Sequence, residues 1–108
     1  MVSKIAEPCV NTTVRCIEAC ERCSVECGTS GDVEREKCAA VARDCAAIGS
    51  LSLSLMSRGS RYAEMICAAH AEACKACAEI CAKFQHNCCV ECKNACAGCA
   101  KECGLYHG

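Results

Sequence analysis

Residues 66–103 read ICAAHAEACKACAEICAKFQHNCCVECKNACAGCAKEC, and the spacing of cysteine in this stretch decides the fold. On either side of residues 85–87, cysteines recur at intervals of three, four and seven. Such intervals bring side chains onto one stripe of an α-helix. Alanine, lysine and glutamate, which favour helix, occupy many of the positions between them. The stretch therefore predicts two helices, each with a stripe of thiols, separated by a break at residues 85–87.

The same intervals recur in the first half of the chain. Glycine- and serine-rich breaks at residues 28–31 and 57–60 separate two more helical segments. We predict a single domain, 1–108, with helices at approximately 7–27, 32–56, 60–84 and 88–103. Short connections make neighbouring helices antiparallel, so the predicted fold class is all-α, an up-down-up-down four-helix bundle.

Local signals favour these boundaries. Pro8 lies where a proline in the first turn of a helix is tolerated, and Ser30 or Asp32 can cap the second helix. Residues 50–55 (SLSLSL) alternate like a strand. A helical period continues through them, so we predict helix there as well.

Composition and charge exclude several classes of protein. The chain has 108 residues and a net charge of −1, so its charge does not favour nucleic acid or an anionic membrane. We expect neither a membrane span nor a leader, and we predict a cytoplasmic protein whose thiols stay reduced. The odd number of cysteines, 17, argues against a complete disulfide framework. No phosphate loop, catalytic triad or paired-carboxylate motif supports an enzyme.

Cysteine supplies much of the predicted core. Val, Ile, Leu and Phe together number only 17, too few for a conventional aliphatic core. Helical periodicity places nearly all the thiols on inward stripes, with Thr13, Gly49, Ser52 and His70 among them, which predicts a sulfur-lined tube. The candidate metal ligands are the seventeen cysteines and two histidines: Cys9, Cys16, Cys20, Cys23, Cys27, Cys38, Cys45, Cys67, His70, Cys74, Cys77, Cys81, His86, Cys88, Cys89, Cys92, Cys96, Cys99 and Cys103.

The spacing of these ligands favours copper. Structural zinc sites use four ligands that turns usually supply, and iron–sulfur clusters use tight loop motifs that this chain lacks. Cu(I) is soft and accepts two or three thiolates. A helical i,i+4 pair of thiols suits one cuprous ion, because its Cβ atoms lie roughly 5–6 Å apart. Five such CxxxC pairs are Cys16/Cys20, Cys23/Cys27, Cys77/Cys81, Cys92/Cys96 and Cys99/Cys103.

With these pairs on a cysteine-lined chain of four helices, the sequence resembles the cytosolic branch of the bacterial copper storage proteins. The resemblance covers essentially the whole chain and is densest in residues 66–103. It implies a four-helix bundle that binds many Cu(I) ions through thiolates, a homotetramer, and a role in storing copper or keeping it from doing damage. Gly49 and His70 stand where we expect some relatives to carry Cys, and Cys88 stands where a His would suit.

The antiparallel topology gives the bundle two different ends. His86 shares one end with Cys27, Cys38, Cys88 and Cys89, and we predict that copper enters there. The other end holds the only concentrated group of large apolar residues, which predicts a hydrophobic plug: Leu51, Leu53, Leu55, Met56, Tyr62 and Met65. We assign the two methionines to packing in this plug rather than to thioether ligation.

Some alternatives remain open at this point. His70 is either a copper ligand or an ordinary buried, hydrogen-bonded histidine. CxxC pairs such as Cys20/Cys23 also allow a thiol redox protein, and the number of thiols allows a zinc-buffering bundle of the metallothionein type. The expected partners are copper ions and the copper chaperones or small-molecule chelators that exchange them, with no nucleic acid and no membrane.

Overall fold

The computed structural model describes residues 7–106, which form four α-helices and no strand. These are α1 (Glu7–Gly28), α2 (Val33–Ser57), α3 (Ala63–Cys81) and α4 (Asn87–Gly104). α1 and α3 each pack against both α2 and α4. The bundle is elongated, with dimensions of 42 × 18 × 17 Å. The predicted all-α four-helix bundle is confirmed.

The start of α2 shows how local sequence sets a helix end. Asp32 caps the helix, because its Oδ1 accepts hydrogen bonds from the backbone N–H groups of Glu34 at 2.9 Å and Arg35 at 3.4 Å. Gly31, just before the cap, has a φ of 77°, which glycine adopts without steric cost. α2 then continues through residues 50–55, so the alternating serine–leucine segment is helical as predicted.

α3 is three residues shorter at each end than the predicted 60–84. Before it, Ser60 Oγ accepts a hydrogen bond from the Tyr62 N–H at 3.1 Å. The serine therefore holds a turn instead of the first turn of the helix. After it, the Phe84 N–H donates to the carbonyl of Cys81, three residues back. The chain thus tightens into turns at both ends, where the prediction had continued the helix.

The space between the helices is filled largely by sulfur and methyl groups. All 17 cysteines are buried, and small residues such as Ala39 and Ala42 are buried beside them. Protonated thiols behave as small hydrophobes, so this packing forms an interior from few aliphatic side chains. Three polar side chains are fully buried within it: Thr13, Ser52 and His70.

The bundle has a His86 end, where α1 and α3 finish, and a Cys9 end, where they begin. The hydrophobic plug predicted at the Cys9 end is present only in part. Leu55 and Met56 are buried there, but Leu51, Tyr62 and Met65 are 48%, 54% and 61% exposed. Tyr62 precedes α3, and the other two exposed residues lie on outward faces of their helices, because polar and thiol side chains occupy the inward stripes.

Within residues 7–106, α2 is the one helix long and apolar enough to cross a membrane by length and composition. Its inward stripe, which includes Cys38 and Cys45, is buried against the other helices. Packing in the bundle therefore accounts for its apolar character.

Candidate metal centre

The structure brings all seventeen predicted cysteine ligands into the interior as free thiols. They come from all four helices and are spread along the length of the bundle. Within groups of three or four, the potential ligand atoms lie within 4.8 Å of one another. The thiols are therefore close enough together to share metal ions.

Near the His86 end, four thiols form the outer thiol group, Cys23, Cys27, Cys38 and Cys89. The sulfurs of Cys27 and Cys89 join α1 to α4 at 3.6 Å, and those of Cys23 and Cys38 join α1 to α2 at 3.9 Å. Cys38 Sγ also lies 3.5 Å from Cys81 Sγ of α3. Sulfurs from four helices thus meet at this level of the bundle.

One step further in lies the central thiol group, Cys20, Cys77, Cys92 and Cys96. Cys20 Sγ is 3.7 Å from Cys92 Sγ and 3.6 Å from Cys96 Sγ. Cys77 Sγ lies 3.6 Å from Cys92 Sγ. The group joins α1, α3 and α4 with sulfur atoms alone.

The next level, the His70 group, contains an imidazole with Cys16, Cys45 and Cys74. His70 is fully buried, and its Nε2 lies 3.4 Å from Cys74 Sγ and 3.7 Å from Cys45 Sγ. Cys16 Sγ and Cys74 Sγ are 3.7 Å apart. The prediction that His70 faces the thiols is therefore matched by its position.

At the Cys9 end, two hydroxyl groups lie among the thiols of Cys9, Cys67 and Cys103. Thr13 Oγ1 is 3.4 Å from Cys103 Sγ, and Ser52 Oγ is 3.1 Å from Cys67 Sγ. Helical periodicity places both residues on inward stripes, but periodicity alone does not show which thiols they meet. This end of the core thus combines sulfur with oxygen donors.

Gly49 lies directly beside the His70 ring. A Cβ at residue 49 would lie 2.8 Å from His70 Nε2 and 3.1 Å from Ile17 Cγ1. Both distances are shorter than an ordinary van der Waals contact, so an alanine would push against the imidazole. Gly49 on α2 and His70 on α3 are the two positions where we expect some relatives to carry Cys. Because they lie side by side, they form one structural feature.

The buried His70 imidazole and the thiols around it shift one another's pKa values. Burial by itself lowers the pKa of His70, but hydrogen bonds with neighbouring thiols such as Cys16 and Cys45 outweigh it and raise the pKa to about 12. Hydrogen bonds from Cys103 and Cys9, with a contribution from the His70 charge, lower the pKa of Cys67 to about 3. Cys67 therefore favours the thiolate, which is the form that binds metal.

Arg35 is a functional candidate that the sequence analysis missed. Burial raises the pKa of the Cys27 thiol, but hydrogen bonding from Arg35 and from neighbouring thiols outweighs burial and lowers the pKa overall. The Arg35 charge also acts on Cys88. Arg35 precedes Cys38 by three residues on α2, and this spacing is the signal that places it on the thiol face.

His86 occupies the N-cap position of α4 and is exposed. His86 belongs to none of the outer thiol, central thiol and His70 groups, so it lies at the exposed end of the bundle and not within the core. Cys88, two residues further on, is buried with its Sγ 3.9 Å from Cys89 Sγ. The two predicted ligands at this turn thus differ in position, one outside the tube and one inside it.

Comparison with known proteins decides the family. The family model described as copper storage protein matches residues 2–108 of this chain. The chain belongs to the copper storage protein family. A curated relative, the uncharacterized cysteine-rich protein YhjQ of Bacillus subtilis (strain 168), is 32% identical over 77 residues, which cover 70% of this chain and 71% of the relative.

Three solved structures share the fold, and two of them are copper storage proteins. The Cu(I)-bound copper storage protein BsCsp3 is 31% identical, with a TM-score of 0.88 over 94% of this chain and 96% of that one. Apo-Csp3 from Bacillus subtilis is 32% identical, with a TM-score of 0.80 over 91% and 94%. The Nmul_A1745 protein from Nitrosospira multiformis is 29% identical, with a TM-score of 0.82 over 93% and 92%.

The geometry of the CxxxC pairs suits a copper storage protein. Four of these pairs have sulfur atoms 3.6–3.9 Å apart: Cys16/Cys20, Cys23/Cys27, Cys92/Cys96 and Cys99/Cys103. One soft ion can contact both sulfurs of such a pair. Because many of these sulfurs also lie near a thiol of another helix, an ion held by a pair has a third thiolate within reach.

Proposed function

We propose that this protein stores and sequesters Cu(I), with many ions per chain held by the thiolates that line the bundle. The observation that carries this function is the set of buried, unpaired thiols that four helices contribute to one interior. A soft monovalent ion prefers such ligands and accepts two or three of them. The similarity to Cu(I)-bound BsCsp3 supports the choice of metal.

The ligands in this proposal are all seventeen cysteines and His70, with His86 capturing copper at the mouth. Each Cu(I) that binds replaces thiol protons, so the positive metal charge offsets the buried thiolate charge. Thiolates that bridge two ions let the capacity approach about one Cu(I) per cysteine. The protein acts by binding and releasing metal, without catalytic turnover.

The empty protein is a folded bundle into which copper moves. Protonated thiols pack as small hydrophobes, so the helices do not need metal to hold them together. The similarity to apo-Csp3, with a TM-score of 0.80, supports this picture. Copper storage then differs from a zinc finger, whose folding requires the metal.

Copper enters at the His86 end in this proposal. Cys88, at that end, is 4% exposed, the largest exposure of any of the 17 thiols. The Arg35 charge favours the thiolate form of Cys27, which binds metal more readily than the thiol. The exposed His86 adds a neutral nitrogen donor two residues from Cys88.

We further propose that the chain works as a single domain in a cytoplasmic homotetramer, exchanging copper with chaperones or small-molecule chelators. Membership of the family supports the assembly, and the exposed apolar side chains of Leu51, Tyr62 and Met65 give it candidate contact area. Sedimentation equilibrium tests the assembly. A mass four times that of the chain is expected, and a monomer at micromolar concentration contradicts it.

Anaerobic titration with Cu(I), followed by thiolate-to-metal absorption, tests the storage function. A store takes up well over four cuprous ions per chain and holds them against a strong chelator. A thiol redox protein instead shows a few reactive thiols and no stoichiometric uptake of metal. A zinc-buffering bundle binds several Zn(II) ions and retains them when Cu(I) is offered. Either of the last two results contradicts copper storage.

A further inference from the structure

The four donors of the His70 group are arranged as a tetrahedron. They come from three helices: Cys16 from α1, Cys45 from α2, and His70 with Cys74 from α3. The three sulfur–sulfur edges are 3.9 Å for Cys16–Cys45, 3.7 Å for Cys16–Cys74 and 3.7 Å for Cys45–Cys74. The edges from His70 Nε2 to the same three sulfurs are 3.9, 3.7 and 3.4 Å.

These six edges fit a closed tetrahedral zinc site. Zinc lies about 2.3 Å from thiolate sulfur and about 2.0–2.1 Å from imidazole nitrogen in closed tetrahedral sites. Those bond lengths place the sulfurs about 3.8 Å from one another and about 3.6 Å from the nitrogen. We infer that Cys16, Cys45, Cys74 and His70 Nε2 form a specific site for one Zn(II) ion. The inference goes beyond copper storage and does not depend on it.

The histidine separates this site from the thiol groups around it. Three thiolates and a neutral imidazole bound to Zn(II) leave a net charge of −1, whereas four thiolates leave −2. Burying the larger charge costs more, because the core offers little solvation. The central thiol group has four thiols and no imidazole, and the same is true of the set that Cys96 completes with Cys16, Cys45 and Cys74. Zn(II) therefore prefers the His70 group over its neighbour.

The other ring nitrogen orients the imidazole for this role. His70 Nδ1 lies 3.7 Å from Cys99 Sγ and 3.8 Å from Cys103 Sγ. A proton on Nδ1, donated to these sulfurs, leaves the lone pair of Nε2 directed at the three thiols, as outer partners do for metal-bound histidines. Gly49 leaves the space that the ring needs, since a Cβ there would lie 2.8 Å from Nε2.

Within residues 7–106, each polar contact of His70 is with a cysteine sulfur. A bound metal satisfies Nε2 directly. The zinc also links α1, α2 and α3 at one level, so it stabilises the bundle when copper is absent.

A pair of matched variants tests the site. Cys45→Ala removes a thiol from the His70 group, and Cys77→Ala removes one from the central thiol group. Zn(II) and Co(II) are titrated anaerobically into the copper-free protein. Wild type and Cys77→Ala are expected to bind one Zn(II) far more tightly than any further ion. Cys45→Ala and His70→Ala are expected to lose more than about tenfold in affinity for that ion.

Equal weakening by Cys45→Ala and Cys77→Ala overturns the inference, because zinc is then shared among all the thiols. An unchanged affinity in His70→Ala also overturns it. Circular dichroism of each copper-free variant establishes whether the helices are intact. Gly49→Ala, which keeps every donor but crowds the ring, is expected to weaken zinc binding in the same direction.

X-ray absorption at the zinc edge decides the question without any variant. Wild-type protein with one equivalent of Zn(II) is expected to show three sulfurs and one nitrogen around the metal. Four sulfurs overturn the inference. Copper uptake is measured separately on the copper-free protein. Full Cu(I) uptake without a tight zinc site defeats only the zinc inference, and a tight zinc site without Cu(I) uptake defeats only copper storage.

Discussion

The two halves of the bundle differ in what lies beside the thiols. Towards the His86 end, the outer and central thiol groups consist of sulfur donors alone. Towards the Cys9 end, the three fully buried polar side chains of residues 7–106 lie among the thiols: Thr13, Ser52 and His70. The same four helices thus carry a sulfur-only half and a mixed half. We expect the sulfur-only half to contribute the larger share of the copper capacity, while the mixed half adds selectivity and packing to a smaller share.

The largest effect is expected from removing the central thiol group. Replacing Cys20, Cys77, Cys92 and Cys96 by alanine is expected to reduce the uptake of Cu(I) by about four ions per chain, since each thiolate supports about one ion. Anaerobic titration against a chromophoric chelator measures the uptake. Replacing Thr13 by serine and Ser52 by alanine is the control in the mixed half, where no loss is expected. A loss smaller than one ion in the quadruple variant contradicts this division of roles.

Packing in the mixed half is expected to give the next largest effect. Met56 is 3% exposed and Met65 is 61% exposed. Met56→Ala is expected to lower the free energy of unfolding of the copper-free protein by about 2–4 kcal/mol, because it leaves a cavity. Met65→Ala is expected to change it by less than about 0.5 kcal/mol. Urea denaturation followed by circular dichroism measures both free energies of unfolding. Equal effects would mean that Met65 packs in the core as Met56 does, which would contradict the structure.

Adding a thiol to the mixed half is expected to have a smaller effect. Thr13 Oγ1 lies 3.6 Å from Cys99 Sγ and 3.4 Å from Cys103 Sγ, so a cysteine at residue 13 places a third sulfur beside an existing pair. Thr13→Cys is expected to raise the uptake of Cu(I) by about one ion per chain. Thr13→Ser is the matched control. An unchanged uptake in Thr13→Cys shows that the count of thiols does not set the capacity.

The smallest expected effect is on the rate at which the protein takes up Cu(I). If copper enters at the His86 end, His86→Ala is expected to take up Cu(I) severalfold more slowly, because a donor at the mouth is lost. Stopped-flow absorption records the initial rate. Tyr62→Ala, an exposed residue at the Cys9 end, is the control and is expected to load at the wild-type rate. Slower loading in Tyr62→Ala but not in His86→Ala would mean that copper enters at the Cys9 end.

Cysteine spacing predicts most of this fold, because a repeat of three, four and seven has a single structural meaning. The limits of α3 were wrong, since Ser60 and Phe84 carry turn hydrogen bonds that periodicity does not report. The plug was only partly right, because Tyr62 and Met65 were judged by their apolar character and not by their helical phase.

Contacts between helices were the part of the site that the sequence could not predict. Gly49 and His70 are each visible on an inward stripe, but their contact depends on how α2 and α3 are aligned. Arg35 was not singled out from the sequence, although its charge acts on Cys27 and Cys88. Such pairings depend on tertiary packing, whereas the position of each residue on its own helix follows from local spacing.

Anomalous diffraction at the copper edge, from crystals loaded anaerobically with Cu(I), tests most directly whether the interior is the metal store. Copper peaks are expected only between the four helices, each beside two or three cysteine sulfurs, and more densely in the sulfur-only half. Peaks confined to the outer surface, or cystines in place of thiols, would contradict the account.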